Sequence, residues 1–255
     1  MKKALILIWS IALICAMFPA AHAENVLQIA AQTEDADDPA AFYTGASAGK
    51  LYLCEACAHR IYAISPDGAL AQSSSITALD DTGARYLSPL ALVSDEKRAY
   101  AVSMTANQSE DGLRFEGAGL YEMDEAGRTG AQVCALDLSD AILSDGDAQE
   151  LLPCLSAVMG ENALYLLFDR GEGGWDESQA GRLLLRFDLA SGKKDVRELT
   201  GVLQLIRADA KRVLCARAAE APSDTIVQIF NVHSGEIREV TTLSGSGDRP
   251  RNRCV

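Results

Sequence analysis

The chain has 255 residues, of which 48% are hydrophobic, and carries 36 acidic against 23 basic side chains for a formal charge of −13. That length and apolar content suit one globular domain or two small ones, and they exclude disorder as the main state. The excess of acid argues against nucleic acid as a partner, because phosphate contacts need a basic stripe.

The first 23 residues have the layout of a secretory signal peptide. Lys2 and Lys3 precede an apolar run over residues 4–18, and a small-x-small cleavage pattern follows at residues 21–23. The run is short for a membrane span, and no later segment is long and apolar enough to cross a bilayer. Cleavage would leave 21 basic and 36 acidic side chains, a charge of −15. We therefore expect a secreted or extracytoplasmic product without a transmembrane segment; an uncleaved anchor is the alternative.

A strand-like run that ends in glycine occurs four times in the chain, at residues 62–68, 121–127, 186–192 and 229–235. Each glycine follows Asp, Ala or Ser, and a new polar–apolar alternation begins after it. Glycine supplies the positive φ that a tight turn between antiparallel strands requires. The four segments therefore predict four hairpins.

A second marker lies upstream of each hairpin glycine and aligns without gaps at residues 50–54, 98–102, 163–167 and 212–216. Another apolar run precedes the last three markers, at residues 88–93, 153–158 and 202–206. Strand-like runs also follow the turns, at residues 69–77, 131–138, 194–199 and 237–243. Each unit therefore predicts four short strands, named A to D in chain order, with the marker as strand B.

Four-stranded antiparallel units at this spacing predict an all-β fold, a β-propeller of about four blades. One blade cannot bury both of its faces, so neighbouring blades stack around an axis. The predicted propeller domain covers residues 24–243, and a flexible tail follows at 244–255. The approximate blades are residues 40–78, 86–139, 151–200 and 201–243. A β-sandwich with coincidental spacing is the alternative.

The hairpin segments at residues 61–68 and 185–193 resemble the repeats of pyrroloquinoline-quinone-type and WD-type propellers. The resemblance covers about residues 40–243 and implies a fold, not an activity. The tryptophan that closes quinone-type repeats is missing throughout, and no paired cysteines match that family's ligand disc. We therefore predict no cofactor.

Two arrangements of the blades remain open. In one, four blades close a ring, with residues 26–30 supplying an extra strand. In the other, the chain is the amino-terminal part of a larger exported solute-binding or envelope protein, and its ring is incomplete. An incomplete ring is favoured because four blades are the lower limit of closed propellers. It would leave exposed strand edges.

Six cysteines remain after removal of the signal peptide, and the strand-B alignment places two of them among core positions. Cys54 and Cys215 align with aliphatic residues of the other units. Free cysteine behaves there as a small hydrophobe. A redox or metal role for Cys54 and Cys57 is the alternative, but no second Cys-x-x-Cys supports a zinc site.

Candidate binding residues fall in two long insertions between strands B and C, at residues 104–117 and 169–180. Ligand-binding residues concentrate on loops that a rigid scaffold holds. The second insertion contains Trp175, the only tryptophan after signal cleavage. We predict a stacking platform for a sugar or an aromatic ligand, and a buried anchor is the alternative role of the tryptophan. The predicted binding set is Trp175, Asp176, Glu177, Arg170, Phe115 and Arg114.

Catalytic motifs are scarce. Only His59 and His233 remain after signal cleavage, and no Gly-x-Ser-x-Gly elbow accompanies them. The acidic segments 35–38 and 145–147 do not match a calcium loop and are expected to be solvated turns. We therefore predict no catalytic or metal site and a non-catalytic module that binds a protein or carbohydrate ligand at a bacterial-type cell surface. The alternative is an extracellular hydrolase or lyase that uses the acidic loop residues.

Overall fold

A computed structural model describes residues 42–47, 49–55, 59–95, 97–109, 112–145, 148–171, 176–219 and 224–244. The signal peptide, residues 26–30, Cys57 and Trp175 lie outside the described residues, as does all of the predicted tail except its first residue. The regular secondary structure of the described part is almost entirely β-strand, and none of its helices is long and apolar enough to cross a membrane.

The first half of the described chain forms two antiparallel sheets. The first sheet contains β1 (Phe42–Ser47), β2 (Lys50–Glu55), β3 (Arg60–Ile64) and β4 (Leu70–Ser74). The second contains β5 (Thr77–Ala78), β6 (Arg85–Ser94), β7 (Ala99–Ser109), β8 (Gly112–Met123) and β9 (Thr129–Leu136). Strands follow one another in sequence order within each sheet, as in a propeller blade.

Two more sheets follow after a short connection. The connection contains a 3-10 turn (Ser139–Ala141) and a hairpin of β10 (Ile142–Asp145) and β11 (Ala148–Leu151). The third sheet contains β12 (Cys154–Gly160), β13 (Ala163–Asp169), β14 (Gly181–Asp188) and β15 (Lys194–Thr200). The fourth contains β16 (Val202–Ala208), β17 (Arg212–Ala218), β18 (Asp224–Asn231) and β19 (Ile237–Ser244). The predicted all-β propeller of four blades is confirmed.

The hairpin glycines have the backbone conformation that the sequence predicts. Gly68, Gly127, Gly192 and Gly235 all have positive φ, between 71° and 84°. Each lies in the turn between strands C and D, and its amide bonds back to a carbonyl at the start of that turn, at 2.8–3.0 Å. These glycines therefore form the turn that follows strand C in each of the four blades.

Three buried apolar clusters join neighbouring sheets along the chain. One contains residues of the first and second sheets, one of the second and third, and one of the third and fourth. Cys54 and Cys215 are fully buried in two of these clusters, as predicted. None of the three clusters combines residues of the first sheet with residues of the fourth. The three clusters therefore connect the four sheets in chain order, an arrangement that we call the arc.

One predicted loop is wrong. Residues 104–117 were expected to be a loop insertion, but β7 and β8 pair through this segment as far as Ser109 and Gly112. Its residues carry enough alternating apolar character to extend the hairpin: Ala106 is fully buried, while its neighbours are only partly covered. The other predicted insertion is a loop, because β13 ends at Asp169 and β14 begins at Gly181.

Candidate functional site

The connection between β13 and β14 is fixed at both of its ends. The carboxylate of Asp169 accepts hydrogen bonds from Arg182 Nη1 at 2.6 Å and from the Gly171 amide at 2.9 Å. The amide of Arg170 donates to the carbonyl of Gly181 at 3.2 Å. The predicted binding loop is therefore closed at its base by residues of the strands that it joins.

Arg182 ties this loop to the next sheet. Its guanidinium is 5% exposed and donates from Nη2 to Glu177 Oε2 at 2.9 Å. Nε donates to the carbonyl of Val202, at the start of the fourth sheet, at 3.0 Å. Burial of an arginine is costly unless its charge is paired, and here Asp169 and Glu177 supply the counter-charges. The carboxylate of Glu177 is therefore engaged in holding the loop.

Asp176 shapes the last turn of the same loop. Its Oδ1 accepts hydrogen bonds from the amide of Ser178 at 3.0 Å and from the Ser178 hydroxyl at 2.7 Å. Its carbonyl accepts the amide of Gln179 at 3.0 Å. Aspartate favours this kind of turn because its side chain bonds the backbone two residues ahead. Asp176 and Glu177 thus have internal partners.

The remaining predicted residues are distributed over two places. Arg170 forms an ion pair with Glu198 of β15 and stays beside the loop. Arg114 and Phe115 lie in β8, where Arg114 is exposed and the Phe115 amide donates to Gln149 Oε1 of β11 at 3.1 Å. Within the described residues, no hydrogen bond or ion pair joins Arg114 or Phe115 to the β13–β14 loop. The structure therefore brings Arg170, Asp176 and Glu177 together, and it gives Arg114 and Phe115 separate surroundings.

A cleft of about 530 Å³ opens between the outer strand of the third sheet and the face of the fourth. Its floor includes Val202, Gln228 and Phe230, all of which are buried. Arg197 of β15 and Arg217 of β17 also line it. This volume is in the range of ligand-binding clefts in proteins. We call this space the inter-blade cleft.

A smaller cleft of about 380 Å³ lies next to the predicted binding loop. It is lined by Ser178 and Gln179, which follow Asp176 and Glu177 in the chain, and by Ala218 and Ile226 of the fourth sheet. Arg217 lines this cleft as well as the inter-blade cleft. The loop that the sequence predicts as a binding element therefore borders the smaller cleft, and Arg217 lines both clefts.

The two arginines of the inter-blade cleft bond to backbone carbonyls and not to carboxylates. Arg217 Nε donates to the carbonyl of Thr200 at 3.2 Å. Arg197 donates from Nε to the carbonyl of Val232 at 2.8 Å and from Nη2 to that of His233 at 3.4 Å. Across the part of the chain that the structure describes, no carboxylate pairs with either arginine. Glu198 also lines the cleft, but its carboxylate pairs with Arg170.

Sequence reasoning missed Arg217, because the repeat has no common residue type at its position. One position beyond the aligned part of strand B, Arg217 corresponds to Glu55, Ser103 and Phe168. Ser103 is 1% exposed and Phe168 is fully buried, so this position closes the interface in those two blades. The alignment therefore gives no signal for Arg217, and only the contacts between blades reveal its place beside the cleft.

Comparisons with known proteins give a likeness of fold alone. No family model and no curated protein matches the chain. A streptogramin B lyase structure is 13% identical, with 80% of this chain and 69% of that chain covered and a TM-score of 0.40. The hydrazine synthase of Kuenenia stuttgartiensis is 12% identical, with 84% and 69% covered and a TM-score of 0.37. Apo AztD from Citrobacter koseri is 10% identical, with 80% and 72% covered and a TM-score of 0.33.

Proposed function

We propose that this chain is an exported, non-catalytic propeller module that binds a carbohydrate or protein ligand in the inter-blade cleft, beside Arg217. One observation carries the proposal: the inter-blade cleft of about 530 Å³ is lined by two arginines that form no ion pair with a carboxylate of the described residues. In a chain with a net charge of −13, a cleft with this charge stands out from the general surface. Guanidinium groups bind carboxylates, sulfates and phosphates through paired hydrogen bonds.

The neighbouring groups support binding of a ligand that also offers neutral hydrogen-bonding groups. Gln228 contributes an amide, Ser234 contributes a hydroxyl, and Phe230 and Ile237 contribute apolar surface. A ligand site of this kind combines apolar walls with a few placed polar groups. An acidic oligosaccharide or an acidic peptide segment fits this combination.

Binding is favoured over hydrolysis or elimination by the state of the loop carboxylates. A general acid or base must reach the reacting group of a substrate. Asp176 instead accepts two hydrogen bonds from Ser178, and Glu177 is held by the buried Arg182. These carboxylates stabilise the loop, so the alternative of an enzyme that uses them gains no support.

Export rests on the signal-peptide layout of residues 1–23. The test is expression of the full gene in a bacterial host, followed by cell fractionation and amino-terminal sequencing. We expect an extracytoplasmic product that begins at Glu24. An intact chain that starts at Met1 and stays in the cytoplasm would overturn the proposed export.

Ligand binding is tested by calorimetry with an oligogalacturonide and an acidic peptide, each beside a neutral counterpart of the same length. We expect one acidic probe to bind and its neutral counterpart to bind at least about tenfold more weakly, because hydrogen bonds to charged groups contribute about 1.5–3 kcal/mol. Fluorescence of Trp175 provides a second readout.

Two variants test whether the acidic probe binds at Arg217. Arg217→Ala is expected to weaken binding of the acidic probe by about tenfold or more. Arg212→Ala is the matched control, because Arg212 lies on the same strand, is exposed and pairs with Asp209. Equal affinities of the two variants, or no binding of either acidic probe, would contradict the proposed site.

A further inference from the structure

The sheets stack on one another by a fixed rule of sidedness. Positions in strand B are counted along the aligned markers at residues 50–54, 98–102, 163–167 and 212–216. In the first interface, Tyr52 and Cys54 occupy the third and fifth positions in the first sheet. They share a buried cluster with Ala99 and Ala101, at the second and fourth positions in the second sheet. Successive residues of a strand point to opposite faces of the sheet. Each strand B therefore carries one set of side chains toward the preceding sheet and the other set toward the following sheet.

The same rule holds at the next two interfaces. Between the second and third sheets, Tyr100 and Val102 at the third and fifth positions share a cluster with Leu164 and Leu166 at the second and fourth positions. Between the third and fourth sheets, Tyr165 and Leu167 share a cluster with Val213 and Cys215 in the same way. The two faces of a blade are thus different surfaces, and each mates only with the other kind.

Two faces of the described arc take no part in these clusters. The first sheet keeps its second and fourth strand-B residues, Leu51 and Leu53, and the fourth sheet keeps its third and fifth, Leu214 and Ala216. All four are half-buried, whereas their counterparts inside the arc are nearly or fully buried. We call these surfaces the first-sheet face and the fourth-sheet face.

Both faces continue in apolar residues across the neighbouring strands. On the fourth-sheet face, Val227 lies opposite Ala216 and Ile229 lies opposite Leu214 in the β17–β18 register. On the first-sheet face, Ile64 lies opposite Leu51, and Leu70, which is 52% exposed, lies opposite Ile64. Residues opposite each other in a ladder share a face of the sheet. The first and fourth sheets thus each present an apolar surface. Equivalent surfaces between neighbouring sheets of the chain are buried.

We propose that the fourth-sheet face of one copy of this chain stacks on the first-sheet face of a second copy. The stacking rule identifies a second copy of the chain as the partner. The first-sheet face carries the second and fourth residues of strand B, and the fourth-sheet face carries the third and fifth. These two kinds of face mate three times inside the chain. Neither face mates with its own kind, so the contact is head to tail.

Two such contacts, related by a twofold axis, close a ring of two chains. In that ring the fourth-sheet face of each copy covers the first-sheet face of the other, so both of these faces of the described residues are covered. A head-to-tail contact that does not close would instead build an open filament. The closed pair also removes the exposed faces that make an open arc prone to aggregation. This interface is independent of the ligand site, which lies between the third and fourth sheets of one chain.

The test is light scattering coupled to size exclusion on the mature full-length chain. We expect twice the mass of one chain. Leu214→Asp, in the fourth-sheet face, and Leu51→Asp, in the first-sheet face, are each expected to halve that mass while the circular dichroism spectrum stays unchanged. Leu143→Asp is the matched control, because Leu143 is 52% exposed on β10 and belongs to neither face.

Mixing the two variants separates a lost interface from a damaged fold. The Leu214→Asp variant keeps its first-sheet face and the Leu51→Asp variant keeps its fourth-sheet face, so a mixture is expected to form one contact and recover the mass of a pair. A single-chain mass of the unsubstituted protein, open-ended assemblies, or a mixture that does not associate would overturn the proposal.

Discussion

The phenolic hydroxyl of Tyr165 donates a hydrogen bond to the backbone carbonyl of Asp209 at 2.9 Å. Tyr165 is fully buried in strand B of the third sheet, and Asp209 begins the turn between β16 and β17 of the fourth. Arg186 donates to the carbonyl of Ala210 in the same turn, from Nε at 3.0 Å and from Nη2 at 2.6 Å. Side chains of the third sheet therefore satisfy two carbonyls of the fourth and fix the stacking of the blades that form the cleft.

Replacement of Tyr165 by phenylalanine tests this connection. Tyr165→Phe leaves the Asp209 carbonyl without its donor, and we expect the free energy of unfolding to fall by about 1–3 kcal/mol. Urea denaturation measures the change. Tyr86→Phe is the control, since the Tyr86 hydroxyl has no hydrogen-bond partner among the described residues, and its effect is expected to be small. A loss of equal size in both variants would argue against a role for this hydrogen bond.

Gly201 lies where the loop beside the cleft contacts the start of the fourth sheet. Its φ is +69°, and a Cβ added there would lie 2.6 Å from the carbonyl oxygen of Ser178. We expect Gly201→Ala to lower the free energy of unfolding by at least about 3 kcal/mol, because backbone strain and a steric clash add together.

The control for Gly201 is another glycine with the same backbone conformation. Gly192 has a φ of +71°, but an added Cβ would meet nothing within 4 Å. Gly192→Ala is therefore expected to lower the free energy of unfolding only by the cost of a left-handed alanine, about 1 kcal/mol. Chemical denaturation measures the free energy of unfolding of both variants. Equal losses in Gly201→Ala and Gly192→Ala would contradict a steric clash at Gly201.

Local signals of the sequence predicted the blades well. The hairpin glycines and the strand-B markers work over five to seven residues, because a turn needs positive φ and a strand buried on both faces needs a continuous apolar run. The strand β1 (Phe42–Ser47) was not among the predicted runs, because its small and polar residues give no such pattern. Its pairing with β2 along the full length supplies what the local sequence lacks.

The candidate site depends on contacts between blades, which local patterns do not encode. The loop that contains Asp176 and Glu177 was predicted from its length and composition, but the bonds of both carboxylates come from their surroundings in the fold. The inter-blade cleft arises where β15 and the fourth sheet diverge, and Arg197 and Arg217 lie 20 positions apart in the chain. Only the stacking of the two blades brings these arginines to one cleft.

The buried thiol of Cys215 provides a test of the packed core. Burial raises the pKa of this thiol. A thiol whose pKa lies above the ambient pH is mostly protonated, and the thiolate is the reactive species. At pH 8 we therefore expect iodoacetamide to alkylate Cys215 only after unfolding, as measured by peptide mass spectrometry with and without denaturant. Rapid labelling of Cys215 in the native protein would contradict its place in the interface between the third and fourth sheets.

Lys194 links the third sheet to the segment that follows the second. Its ammonium group donates to the carboxylates of Asp137 and Asp140, each at 2.5 Å. The hydrogen bond from Lys194, supported by bonds from Ser139, lowers the pKa of Asp137 to about 2. The stabilisation from this carboxylate is therefore present at neutral pH and is lost as the pH falls from about 4 toward 2.

Lys194→Met is expected to reduce this acid-dependent part of the stability. Because the Asp137 side chain is 62% exposed, solvent screens the ion pair and the loss at pH 7 should stay below about 1 kcal/mol. The difference in unfolding free energy between Lys194→Met and the unsubstituted protein should shrink between pH 4 and pH 2, since protonation of Asp137 then removes from the unsubstituted protein the ion pair that the variant already lacks. Urea titrations at several pH values measure it, with Lys193→Met, at the exposed neighbouring residue, as control. A difference that stays constant over this range would show that Lys194 acts through packing and not through the charge of Asp137.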